Sequence, residues 1–343
     1  MDKKTFHFRE TFELEAGGYL SELHIAFHTY GKLTANQDNV VWICHALTAN
    51  SDPVEWWPGL VGPGKYLDPA DYYIVCANIL GSCYGTTGPL SNNPNSDKPY
   101  YREFPFITLR DMVKAQILLR KHLGIKRIRL GLGGSMGGSQ LLEWALMEPE
   151  IFDNLGLIAT NAKESPWAIA LHTAQRMAIE ADQSWGEDHE HAGIEGLKAA
   201  RAIGIPSYRN YHTFEQTQSD SEDKLDNFRA STYQYYQGQK LANRFNAFSY
   251  YTMLKALDTH NIGRGRNGVV NALNSIQIPT LLISIDSDNL YPEPEQITLA
   301  THLSQVTHHT IHSLYGHDGF LIETETIGPL VLKFLEHNKA FQR

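Results

Sequence analysis

Cysteine is scarce in this 343-residue chain, with Cys44, Cys76 and Cys83 the whole supply. So small and odd a number argues against a disulfide framework and for reduced thiols in a cytoplasmic protein. None of the spacings suits a zinc site, so no metal is expected. Cys44 and Cys76 lie in apolar runs and read as small buried hydrophobes. Long apolar stretches are also missing. None approaches the roughly 18 residues of a membrane-spanning helix. The start, Met1-Asp2-Lys3-Lys4-Thr5-Phe6, has no apolar segment of the secretory kind. Neither membrane insertion nor export is expected. Excess positive charge is the third absence. Asp and Glu (38) outnumber Lys and Arg (29), for a net charge of -9, and no basic run is present. Nucleic acid is not an expected partner.

What is present suits one large α/β domain with an insertion, since 42% of the residues are hydrophobic. Residues 5–30 alternate loosely around Gly17-Gly18 and predict antiparallel strands joined by a hairpin. Buried strands are predicted at 40–44, 72–77, 128–132, 155–159, 278–285 and 308–312. Thr108 and Asp111 form a capping box that opens a helix closed by Gly124. Further helices are expected from the mid-130s to about Met147, over 293–303 and over 327–337. Residues 163–266 are rich in Gln, Asn, Tyr and charge and have helical periodicity only. They read as a helical lid inserted into a core domain formed by 1–162 and 267–343. Strands alternating with helices imply a mostly parallel central sheet covered by helices on both faces. The order of elements is that of an α/β-hydrolase fold.

Chemistry is expected at the carboxyl ends of such strands. Gly133-Gly134-Ser135-Met136-Gly137, between a predicted strand and a predicted helix, fits the G-x-S-x-G nucleophile elbow. Serine needs a base to remove its proton, and the base needs a carboxylate to fix its tautomer. Sixteen histidines compete for that role. His317 stands out by its place near the end of the chain in Tyr315-Gly316-His317-Asp318-Gly319. Asp286 and Asp288 both follow the 278–285 strand. Asp288 lies further out on the loop and is the choice, while Asp286 is expected to cap the turn. Backbone N–H groups of Leu47, after the 40–44 strand, and Met136, after the serine, are the candidate donors to an oxyanion.

Several of these segments resemble the homoserine O-acetyltransferases: the elbow with Gly138, Gln140 and Leu142-Glu143-Trp144 behind it, His45-Ala46-Leu47-Thr48, and Trp56-Trp57-Pro58-Gly59-Leu60-Val61-Gly62-Pro63. So do residues 78–89, 108–113, 286–292 and 315–320. The resemblance implies acetyl transfer from acetyl-CoA to the hydroxyl of L-homoserine in methionine biosynthesis, by a ping-pong route with Ser135, Asp288 and His317 as the triad. It assigns Arg201 to the substrate carboxylate and Asp318 to its ammonium, with Tyr208 as a helper. A guanidinium fork and a carboxylate suit those two groups. No cofactor beyond the acetyl-CoA co-substrate is implied, and a cytoplasmic homodimer is expected. Ser139 stands where the family commonly has methionine, and Ala49-Asn50-Ser51-Asp52-Pro53 departs from its usual Gly-Asp sequence. Homoserine or serine O-succinyl transfer is therefore the first alternative. Ester hydrolysis with the same triad is the second, and an inactive scaffold the third.

Overall fold

Apolar runs too short for helices become the middle of one twisted sheet. The computed structural model describes residues 2–339; residues 1 and 340–343 of the expected core domain lie outside them. The strands are β1 (Lys4–Phe8), β2 (Phe12–Glu13), β3 (Tyr19–Leu20), β4 (Leu23–Tyr30), β5 (Val40–Cys44), β6 (Tyr73–Ala77), β7 (Leu130–Gly134), β8 (Leu155–Ile158), β9 (Thr280–Ile285) and β10 (Val306–Ile311). Eight of them form a sheet in the order β1-β4-β6-β5-β7-β8-β9-β10. The pairings from β6 to β10 are parallel, whereas β4 is antiparallel to β6 and β1 to β4.

β5 shows why the sheet must be covered twice. Val40, Trp42 and Cys44 point into one apolar core, while Val41 and Ile43 point into the other. Alternation by two is intact, but both faces are apolar, which is the pattern of a buried parallel strand. The first core packs against the helices Leu109–His122 and Met136–Met147, the second against Thr324–Lys339. Thr108 and Asp111 close the expected capping box on the Leu109–His122 helix.

Three details differ from the sequence reading. The glycine pair at 17–18 turns only the small β2–β3 hairpin, and β1 reaches past it to pair with β4. β7 runs on through Gly133 and Gly134, which look like loop in the sequence; Gly133 pairs with β5 and β8, and Gly134 with β8. A short helix, Val269–Ser275, buries Ala272 and Leu273 just before β9. Between β8 and that helix lie Pro166–Glu180, Ile194–Tyr208, Tyr211–Gln218, Arg229–Ala242 and Ala247–Asp258, all helical. No helix among the described residues is long and apolar enough to cross a membrane.

Buried charge ties the end of this helical segment to the sheet. Glu143 is 1% exposed and is held by Arg110 Nε at 3.2 Å and Arg266 Nη1 at 2.7 Å. Arg110 also bonds Glu15 and the carbonyls of Asn261 and Arg264. Removing one partner of a buried pair strands the other charge. Arg110→Ala is therefore expected to lower the free energy of unfolding by about 3 kcal/mol or more, read from urea denaturation. A change within experimental error would show that Glu143 is satisfied without it.

Candidate active site

β7 ends at Gly134, and Ser135 turns the chain straight into the Met136–Met147 helix. Its backbone sits at φ 55° and ψ -129°, a region that side chains disfavour. Such strain persists only where the surroundings hold it. The Ser135 N–H donates to the Ile158 carbonyl at 2.9 Å, and its own carbonyl accepts from Thr160 Oγ1 at 2.8 Å. Ser139, the departure noted above, places its hydroxyl 3.2 Å from the same Thr160 oxygen and so backs the turn. The close approach needs glycine. A Cβ on Gly137 would lie 2.0 Å from the Cys44 carbonyl oxygen, and one on Gly133 would lie 2.5 Å from the Gly137 carbonyl carbon.

His317 Nδ1 lies 2.7 Å from Asp288 Oδ2, and both side chains are buried. The other Asp288 oxygen accepts the N–H groups of Leu290 and Tyr291 at 2.8 and 2.9 Å. These bonds aim the carboxylate inward. Nδ1 therefore carries the proton, and Nε2 is left as an acceptor, buried and without a partner among the described residues. Burial disfavours the imidazolium, but the Asp288 charge and hydrogen bond outweigh it, and the His317 pKa is raised above 6.5. The ring is packed edge-on against Tyr291 and Phe320. Asp286 does not cap its own turn: it accepts from His312 Nδ1 at 2.6 Å and the Ser313 N–H at 3.2 Å. It fastens the β9 exit to the β10 exit.

Ser135 and His317 open onto a cavity of about 580 Å³ that Leu47, Arg201, Tyr208 and Asp318 also line. Of the residues singled out from the sequence for the site, Asp288 and Met136 do not line this cavity: Asp288 meets it through His317, and Met136 stands immediately beside Ser135 at the start of the helix. No hydrogen bond joins His317 Nε2 to Ser135; such contacts often close only when substrate arrives. The N–H groups of Leu47 and Met136 have no acceptor among the described residues. Gln140 holds them in relation, because its amide donates to both the His45 and Met136 carbonyls at 3.1 Å. His45 is buried, which depresses its pKa to about 4. It stays neutral, giving Nδ1–H to the Ala46 carbonyl and accepting the Ile79 N–H on Nε2.

Arg201 comes from the Ile194–Tyr208 helix and lies over the Tyr208 ring, 5.1 Å from its centroid, with no carboxylate partner among the described residues. Asp318 is ion-paired with Arg209 Nη1 at 3.2 Å. Arg209 was not singled out from the sequence, where it is one more arginine in a polar helix. Lys240, Arg244 and His172 line the cavity as well, and nothing in their spacing marks them. Near His7, Glu22 and His24 approach one another on β1 and at the start of β4, the one such His and carboxylate cluster among the described residues, remote from this cavity.

Residues 39–324 match the family model of the α/β hydrolase fold. Homoserine O-acetyltransferase of Cyclobacterium marinum is 50% identical over 339 residues, covering 98% of this chain and 97% of that one. The chain belongs to the homoserine O-acetyltransferase family. Among solved structures, homoserine O-acetyltransferase from Bacillus anthracis superposes with a TM-score of 0.90 at 25% identity, covering 97% of each chain. Esterase E22 shares the fold at 23% identity with a TM-score of 0.88, covering 97% of this chain and 99% of its own. A family acetyltransferase and an esterase thus stand on one scaffold, so the fold alone does not choose between the two activities.

The elbow supplies its own test. Gly137→Ala is expected to destabilise the protein by at least the 1–3 kcal/mol typical of overpacking, because the obstructing atom is backbone and cannot rotate away. Gly265→Ala, at φ +74° with nothing within 4 Å, carries only the conformational cost and serves as the control in the same urea titration. Equal shifts for the two would refute the close-approach argument.

Proposed function

We propose that this chain transfers the acetyl group of acetyl-CoA to the γ-hydroxyl of L-homoserine through an acyl-enzyme on Ser135. The observation that carries the reading is a guanidinium, Arg201, without a carboxylate partner, in the same cavity as the Ser135 hydroxyl and the His317–Asp288 pair. A hydrolase of neutral esters has no use for that charge, whereas an amino-acid acceptor brings a carboxylate to it.

In the first half-reaction His317 Nε2 takes the Ser135 proton as Oγ attacks the thioester carbonyl. The carbonyl oxygen becomes negative and is met by the N–H groups of Leu47 and Met136, which are fixed before the charge forms. Collapse expels the coenzyme A thiolate, which takes the proton from the imidazolium. Asp288 supports that imidazolium and holds the ring in register. In the second half, the carboxylate of homoserine lies on Arg201. His317 removes the hydroxyl proton, the oxygen attacks the ester, and Ser135 leaves with the proton returned. Tyr208 supports the Arg201 guanidinium through its ring face. Asp318 shares its charge between Arg209 and the ammonium of the bound amino acid. The helices from Pro166 to Asp258 act as a lid that keeps water from the acyl-enzyme.

Thiol release from acetyl-CoA should require L-homoserine and fall by on the order of 10⁴-fold or more in Ser135→Ala. Release that is as fast without any amino acid would replace the reading with hydrolysis, and preference for succinyl-CoA or serine would change donor or acceptor. The pH profile gives a second check. The base works only when neutral, and its pKa is raised above 6.5, so activity should be lost as pH falls through a value above 6.5. In Asp288→Asn burial is opposed only by the smaller influence of the Asp318 charge, and the limb should move to lower pH. A limb that stays in place would show that His317 is not the titrating base.

A further inference from the structure

His172 is buried, at 2% exposure, yet lines the cavity from the Pro166–Glu180 helix. Its Nδ1 lies 2.9 Å from Asp258 Oδ1, at the end of the Ala247–Asp258 helix. The second Asp258 oxygen is ion-paired with Arg176 Nη1 at 2.6 Å, one turn further along the helix that carries His172. Another carboxyl group, Glu164, comes within 3.9 Å of the same Nδ1. Burial lifts Glu164 to about 8, so near neutral pH it stands mostly as the uncharged acid and leaves Asp258 as the partner of the ring. An ionised carboxylate only accepts hydrogen bonds. Nδ1 of the neutral ring therefore carries the proton, and Nε2 is the acceptor left for a ligand. This is a second histidine–carboxylate pair on one cavity, and the mechanism above does not use it.

Arg201 opens onto the same cavity from the adjoining Ile194–Tyr208 helix. A guanidinium on one helix and an acceptor on the next are complementary in kind to the carboxylate and the ammonium of a free amino acid. Asp318 has Arg209 on one oxygen and so offers the ammonium only the other, which leaves further N–H donors of the ammonium to be met. We propose that His172 determines specificity in the acceptor subsite, its Nε2 taking a hydrogen bond from the α-ammonium of the amino acid while Arg201 holds the carboxylate. Asp258 is a positioning residue that acts through the tautomer of His172. The inference rests on the acyl-transfer reading of the site.

The test compares L-homoserine with 4-hydroxybutanoate, which keeps the hydroxyl and the carboxylate but lacks the ammonium, as substrate or competing ligand. The burst of coenzyme A release reports the first half-reaction separately. His172→Phe should raise the KM for homoserine roughly 10- to 100-fold, the worth of a hydrogen bond to a charged group. It should leave the burst and the affinity for 4-hydroxybutanoate unchanged. Asp258→Asn presents an amide N–H to Nδ1, drives the proton to Nε2 and should produce the same selective loss with the ring still in place. His172→Gln, which restores an acceptor, should recover part of the affinity and decides the matter if the phenylalanine variant does not fold. Equal loss on both ligands, or no loss on homoserine, overturns the proposal while the acyl-enzyme reading stands. Absence of a burst in the unaltered protein overturns that reading and the proposal with it.

Discussion

At Gly137 the first turn of a helix lies so near the end of β5 that a methyl group would sit 2.0 Å from the Cys44 carbonyl oxygen. This approach forces the chain to reverse within one residue, which puts Ser135 at positive φ and lifts its side chain out of the sheet. It also sets the start of the helix against the loop that leaves β5, so that the Leu47 and Met136 N–H groups belong to adjacent segments. The strain at Ser135 costs of the order of 1–3 kcal/mol and is sustained by the sheet on one side and Thr160 on the other. A nucleophile placed this way needs no reorganisation before reaction, which is where much of the catalytic benefit of a rigid site comes from.

The partner side chains arrive by a different physical route. β9 and β10 are adjacent parallel strands, so the loops that follow them leave the sheet side by side. Asp286 stitches those two loops together through His312 and Ser313, at the exposed rim. Two residues later, Asp288 is turned inward by the Leu290 and Tyr291 N–H groups and meets His317. One aspartate therefore fixes the separation of the loops, and the other uses that fixed separation to orient a ring. Burial of the second pair removes solvent competition and keeps the imidazole in one tautomer.

Local signals carried far in this chain. The capping box at Thr108, the run Val40–Cys44 and the glycine pattern around Ser135 each predict a piece of structure from neighbours in sequence, and each is found there. The strand expected at 128–132 lies two residues further on, at 130–134, because glycines in a central strand look like loop; the packing of the next helix against Gly133 and of Phe320 against Gly134 explains their presence. The inward turn of Asp288 depends on two backbone donors that any residue could supply, so nothing in the side chains announced it. Arg209 and His172 were illegible for a related reason. Their partners, Asp318 and Asp258, lie more than 80 residues away in the chain, and a lone arginine or histidine in a polar helix has no local mark of pairing.

The triad is the same whether a serine of this kind serves water or an amino acid, so the proposed acceptor turns on the charge balance in the cavity. Gln140 spans the Leu47 loop and the Met136 turn, and its oxygen accepts from Gln116, whose own oxygen accepts from Trp42 in β5. Every member of that chain is buried and hydrogen-bonded, so the proposed oxyanion donors are fixed by the core and are independent of the acceptor. The helices that cover the site hold the proposed acceptor groups: Arg201, without a carboxylate partner among the described residues, and His172, backed by one. An apolar ester would strand those groups away from water, at a cost that a zwitterion removes by pairing with them. On the proposed reading the labour is divided, with the sheet supplying the reaction and the inserted helices selecting the acceptor.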